Sequence, residues 1–140
     1  MRDLMNNIDL KRGLSPAVAV TNNTAFVSQI LDTRGLKSST FALLTGSLAD
    51  TDATFTVLAE EGDSATLTDN TAIADANLLG TEVLATPLFS SDNKVFKLGF
   101  VDTKRYIRVT VTPADNTGDV YLAGVWITEP ATVPTANPPA

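Results

Sequence analysis

From Lys94 to Thr128 the chain alternates apolar and polar positions with a period of two. The runs KVFKLGF, RYIRVTVT and VYLAGVWIT are separated by VDTK and PADNTGD. Within Arg105–Thr112, Ile107, Val109 and Val111 fall on one side and Tyr106, Arg108, Thr110 and Thr112 on the other. Branched residues at this period make a half-buried strand, because successive side chains leave a pleated backbone in opposite directions. Pro113 cannot donate to a ladder, and Asp115-Asn116-Thr117-Gly118 supplies turn residues. The last two strands are therefore expected to form an antiparallel hairpin within a three-strand meander.

The pattern recurs upstream. Ser15–Val20 reads as a short extended piece after Pro16, and Asn22-Asn23 as a turn. Thr24–Leu31 alternates until Asp32-Thr33-Arg34-Gly35 breaks it. Ser39–Leu44 and Ala53–Glu60 are the next strands, the second with Phe55, Val57 and Ala59 on one face. Ala65–Thr86 lacks strict alternation and is read as a long excursion holding a small helix that ends at Gly80, or an irregular strand. About seven or eight short strands with turns every ~8–12 residues predict an all-β fold. The expected architecture is an antiparallel β-sandwich or jelly-roll-like single domain.

Composition shifts at both ends of this pattern. Residues 1–14 are expected to form an N-terminal arm, 15–129 the sandwich, and 130–140 a proline-rich tail. In the arm, Leu4, Met5 and Ile8 are apolar without strand alternation, and are candidate contacts to a neighbouring subunit. The tail carries Pro130, Pro134, Pro138 and Pro139; proline fixes φ and lacks the N–H, so the tail should be extended. Val133, Pro134, Pro138 and Pro139 are its candidate contacts, as a strap lying across a neighbour.

Two internal residues join them. The strand VYLAGVWIT is apolar on both faces, with Tyr121, Ala123, Val125 and Ile127 opposite Leu122, Gly124 and Trp126. One face is expected in the core and one in a subunit interface, with Trp126 as a candidate anchor. Arg105 enters a strand on its apolar side. It is expected either to snorkel to solvent or to pair with a carboxylate, within the chain or across an interface.

Charge and composition narrow the functions. The net charge of −6, without a basic run, argues against a nucleic-acid partner. No cysteine is present for a disulfide or thiolate metal site, and no histidine for the commonest general base. Asp50/Asp52 and Glu60/Glu61/Asp63 do not follow the EF-hand spacing, and turn chemistry accounts for them as well. A carboxylate pair for glycoside hydrolysis would need a sugar cleft, and the nine aromatics are few for one. The expectation is a protein that is not an enzyme and takes no cofactor or metal. The opening MRDLMNNIDLKRGLS lacks the apolar segment of a signal peptide, and no apolar run reaches ~20 residues, so no membrane association is expected.

Three segments together resemble a family of small proteins of tailed bacteriophages. A "DLRG" turn of that family is matched by Asp32, Arg34 and Gly35, with Thr33 interposed. An "LEESDD" segment is approximated by Leu58, Glu60, Glu61 and Asp63, departing at Ala59 and Gly62. A "GY–KRY–RV" strand is matched by Gly99, Phe100 (Phe for Tyr), Lys104, Arg105, Tyr106, Arg108 and Val109. The resemblance covers about Leu10–Pro130. It implies a capsid decoration or cement protein, assembled in the host cytoplasm and bound to the major capsid protein on the virion exterior. A homo-oligomer is expected with it, a trimer being common at three-fold positions. The alternatives are a head–tail joining or tail structural protein, and a carbohydrate- or receptor-binding module on the virion surface. An exposed aromatic cluster would favour the binding module; buried aromatics and arms that reach neighbours would favour the structural protein.

Overall fold

The computed structural model describes residues 3–138. In chain order the strands are β1 (Asp9–Leu14), β2 (Phe26–Val27), β3 (Leu31–Asp32), β4 (Leu36–Leu48), β5 (Thr54–Gly62), β6 (Thr71–Ala72) and β7 (Leu78–Leu79). A helical turn α1 (Glu82–Ala85) follows, then β8 (Val95–Phe100), β9 (Tyr106–Ala114) and β10 (Val120–Pro130). They form two sheets, one ordered β1-β10-β4-β8-β7 and the other β2-β9-β5-β6 with β3 also on β9. Every pairing is antiparallel. The fold is the expected antiparallel β-sandwich.

The strand order departs from the expected meander. β8 and β10 lie in the first sheet, each paired with β4, while β9 lies in the second, paired with β5. The chain changes sheet at each step from β4 to β5, from β8 to β9 and from β9 to β10. The turn residues after Pro113 therefore make a crossing. Asp115–Asp119 is long enough to span the roughly 10 Å between stacked sheets. Asn116 holds this crossing from inside: its amide nitrogen donates to the Val20 and Asn22 carbonyls at 3.3 and 3.1 Å, and its backbone N–H to Asn23 Oδ1 at 2.9 Å. With the crossing, Ile107, Val109 and Val111 of β9 and Leu122 and Trp126 of β10 face the core from opposite sheets.

Other boundaries moved for local reasons. The stretch Thr24–Leu31 is two strands separated by a kink at Ser28, whose hydroxyl accepts the Val109 N–H at 3.0 Å in place of a ladder carbonyl. The arm expected over residues 1–14 contributes β1, an edge strand on β10 from Asp9 onward. The excursion after Ala65 is ordered and lies along the sheet edges as β6, β7, α1 and a 3-10 turn at Asp75–Asn77.

The core lies between the sheets and is centred on Trp126, 1% exposed. Its ring meets Phe41 edge-on at 4.7 Å and Phe100 at 5.6 Å. Its Nε1 donates to the Gln29 carbonyl at 3.0 Å, between β2 and β3 of the opposite sheet. Gly13 and Gly124 allow the approach of Phe41: a Cβ at either position would overlap its ring. Ile107, Val109, Val111, Val57 and Ala59 close the core from the second sheet.

Trp126→Ala should cost at least about 3–5 kcal/mol, since it removes a buried ring and orphans the Gln29 carbonyl. Gly124→Val should cost about 1–3 kcal/mol by overpacking Phe41. Urea unfolding followed by Trp fluorescence for Gly124→Val, and by circular dichroism for Trp126→Ala, checks both.

Candidate docking surface

The two outward faces of the sandwich differ in chemistry. On the second sheet, Thr54, Thr56, Thr110 and Thr112 point to solvent, in register across β5 and β9. Glu60 stands directly opposite Arg108, and the two pair at 2.7 Å with both side chains largely buried. Leu58 and Ala114 are apolar exceptions on these two strands. This is an ordinary solvated face.

On the first sheet the outward positions form apolar rows across four strands. Leu10, Ile127 and Thr40 make one row; Arg12, Val125, Ala42 and Lys97 the next; Ala123, Leu44 and Val95 a third. Tyr121 packs over Gly46 beyond them, and Leu79 of β7 extends the first row past Gly99. Leu44 is 47% exposed and Val95 69%. At about 33 Å² per position from strand and residue spacing, the apolar positions cover roughly 300 Å², the size of patch that on a monomer commonly serves contact. Glu129 lies at one end, held by Lys37 at 3.7 Å and Ser38 at 3.2 Å.

The sequence-derived candidates distribute unevenly around this face. Leu4 and Ile8 line a shallow groove with Thr40, Ile127 and Thr128, so the N-terminal segment continues the apolar surface at its Ile127 end. Met5 is exposed beside them, and its carbonyl accepts from Thr135 Oγ1 at 3.2 Å. The Thr135 N–H donates to the Asn6 carbonyl at 3.0 Å, so the tail lies along the arm of its own chain. Val133, Pro134 and Pro138 are exposed in that tail. Pro139 lies outside the described residues.

Trp126 does not belong to the surface. It faces the core, and the exposed residues of β10 are those of the opposite parity, Tyr121 and Val125. The expected place of Trp126 as an interface anchor is corrected: its large ring fills the space between the sheets, and the outward face of the strand carries Tyr121 and Val125. Leu10, Leu44, Leu79 and Val95 do not stand out in the sequence as contact residues. A signal for them exists in FALL, where Leu43 and Leu44 make both faces of β4 apolar, as on β10.

Arg105 pairs within the chain. Its guanidinium donates from Nε and Nη2 to the two carboxylate oxygens of Asp32 at 3.0 and 2.8 Å, and its charge lies 4.8 Å from the Tyr106 ring centre. This fork holds β3 to the entrance of β9, where the Arg105 carbonyl also accepts the Thr33 N–H at 2.8 Å. The acidic turns are likewise occupied. Asp50 accepts the Thr117 N–H at 2.7 Å, and Asp69 the Asp63 and Ser64 N–H groups at 2.8 and 3.1 Å. Backbone donors hold both carboxyls below the usual carboxylate range.

The bond from Arg105 lowers the Asp32 pKa to about 2. A depressed folded-state pKa stabilises the fold above the ordinary carboxylate range, near 4, and that contribution is lost as pH falls towards 2. The pair is solvent-exposed, so the effect on stability should be small. In Arg105→Ala the Asp32 carboxyl should titrate near 4, which carbon-detected NMR of the carboxyl resonance reads directly.

No family model matches the chain, and no curated protein does. Among solved structures, the PBSX exported protein XepA superposes with a TM-score of 0.53 at 12% identity, over 94% of this chain and 40% of that one. This chain thus spans under half the length of that neighbour, and the likeness is one of fold. The CBM22-1–GH10 modules of Clostridium thermocellum xylanase 10B give 0.45 at 17% identity, covering 95% of this chain and 28% of that one. The xylan-binding module CBM15 gives 0.43 at 12% identity, covering 91% and 94%.

Proposed function

We propose that the protein is a structural virion component, a capsid decoration or cement subunit that docks on the major capsid shell with the outer face of its β1-β10-β4-β8 sheet. The observation that carries this reading is the contrast between the two faces. A β-sandwich in solution is covered mainly by polar side chains on both outer surfaces, as on β5 and β9; here one surface is mainly Leu, Ile, Val, Ala and Tyr, with Thr40, Arg12 and Lys97 among them. Leu4 and Ile8 extend that surface. The resemblance to small head proteins of tailed phages supports the partner, and a homo-oligomer on the shell would cover the same apolar area.

The disposition of the aromatics favours this reading over a sugar-binding module. Trp126, Phe41, Phe55 and Phe100 are buried in the core. Phe89 and Tyr121, the most exposed, stand on different elements, one in the loop after α1 and one on β10. They do not form a platform on which a pyranose ring stacks.

Quantitative mass spectrometry of purified particles should give a copy number equal to that of the major capsid protein or a simple fraction of it. A handful of copies per particle would move the protein to the neck, the tail or a receptor-binding device. Val125→Asp should cost about 1 kcal/mol, because aspartate suits a paired inner strand poorly, and leave the protein folded, yet abolish co-sedimentation with capsid shells. Retained co-sedimentation of a folded Val125→Asp protein would place the contact elsewhere.

A further inference from the structure

The edge of β8 next to the apolar face is open over Val95–Lys97, and two independent hydrogen bonds establish which backbone groups it presents. The Thr45 N–H donates to the directly opposite Lys94 carbonyl at 2.9 Å, so in the β4–β8 ladder the even-numbered residues of β8 bond inward to β4. The Val101 N–H donates to the opposite Asn77 carbonyl at 2.9 Å, so the odd-numbered residues bond outward, and β7 takes those of Gly99 and Val101. By the same alternation Val95 and Lys97 aim their N–H and C=O groups away from β4, where β7 has already ended. The corresponding edge of β5 is treated differently: Thr86 Oγ1 and Glu82 Oε1 cap the Val57 and Ala59 N–H groups at 3.3 and 2.5 Å.

The open edge is the floor of a groove of about 560 Å³ walled by Leu79, Leu84, Val95 and Phe96. Leu84 is 74% exposed on α1, and Lys97 is the charged residue at the groove. Among the described residues the ion pairs are Lys37–Glu129, Arg105–Asp32 and Arg108–Glu60, and Lys97 is in none of them.

We propose that this edge is a strand-acceptor site, at which an extended segment of a partner protein adds to β8 with apolar side chains on the inner side against Phe96 and Leu84 and a carboxylate on the outer side at Lys97. Backbone groups supply the pairing, alternate side chains the selection, and the ammonium the charge preference. A second copy fits less well. Two-fold pairing of β8 with β8 about Phe96 would set Gly99 of the copy opposite Asn93 and drive the copy's β7 into the turn at Asp92–Asn93. The site shares Val95, Lys97 and Leu79 with the outer face but rests on the open backbone edge, so strand addition at β8 and capsid docking through Leu44 and Val125 can be told apart by experiment.

The test uses the whole chain and a blocked peptide, acetyl-Ser-Val-Glu-Val-Thr-Gly-amide, followed by amide NMR. Addition should shift the Val95 and Lys97 amides. Of two N-methylated versions, one at both valines and one at the intervening residues, one should bind at least about tenfold more weakly than the other, because only one set of peptide N–H groups faces β8. Replacing the peptide's glutamate by glutamine should weaken binding severalfold at low salt and less at high salt. Equal binding of the two methylated peptides would overturn the proposal. So would shifts confined to Leu44 and Val125, or sedimentation as a dimer with the β8 amides already protected.

Discussion

Trp126 is the residue on which the two sheets are registered. It is carried by β10 of one sheet, held edge-on by Phe41 of β4, and hydrogen-bonded to the Gln29 carbonyl of the opposite layer. Gln29 in turn donates its N–H to the Gly13 carbonyl of β1 at 2.9 Å. The backbone of one residue therefore ties an edge strand, a central strand and the facing sheet together. A ring of this size contributes by area and contact, and its N–H requires a fixed acceptor, so the position of Gln29 follows from the position of Trp126. The glycines at 13 and 124 follow from Phe41, which could not otherwise approach the backbone of β1 and β10.

Filling the interior this way decides what remains outside. Because the chain crosses between sheets at β4–β5, β8–β9 and β9–β10, each long strand has one face in the core and one out. On β5 and β9 the outward set is mostly threonine with a half-buried Glu60–Arg108 pair, where branched polar side chains suit a pleated surface in water. On β4 and β10 the outward set includes Ala42, Leu44, Tyr121, Ala123, Val125 and Ile127. A second apolar face is the mark of a strand covered on both sides, and here Leu44 and Val125 on that face are exposed. On the proposed function, a docking partner supplies the missing cover.

Period-two alternation in Arg105–Thr112 and Ala53–Glu60 makes the strands, the fold class and the inward residues Ile107, Val109, Val57 and Ala59 legible in the sequence alone. Strand order is not legible there. A polar turn between two strands looks the same whether it reverses the chain within a sheet or carries it across, and Asp115–Asp119 does the second through contacts of Asn116 with Val20, Asn22 and Asn23, more than ninety residues away. The apolar character of both faces of β10 is readable, but which face points inward depends on the volume available between sheets, and the larger side chain takes it. For Arg105 the sequence admits both solvent and a carboxylate; Asp32 becomes its partner through the pairing of β3 with β9, a contact between residues far apart in the chain. The open edge of β8 leaves no sequence signal, since backbone groups are the same at every residue.

Hydroxyl-radical footprinting of the protein free in solution and on purified particles tests the central claim, that the outer face of the β1-β10-β4-β8 sheet is the contact surface. Tyr121, Leu44 and Leu10 should lose most of their oxidation on the particle while Leu58, on the opposite face, keeps its own. Protection of Leu58 with Tyr121 and Leu44 unchanged would contradict the account.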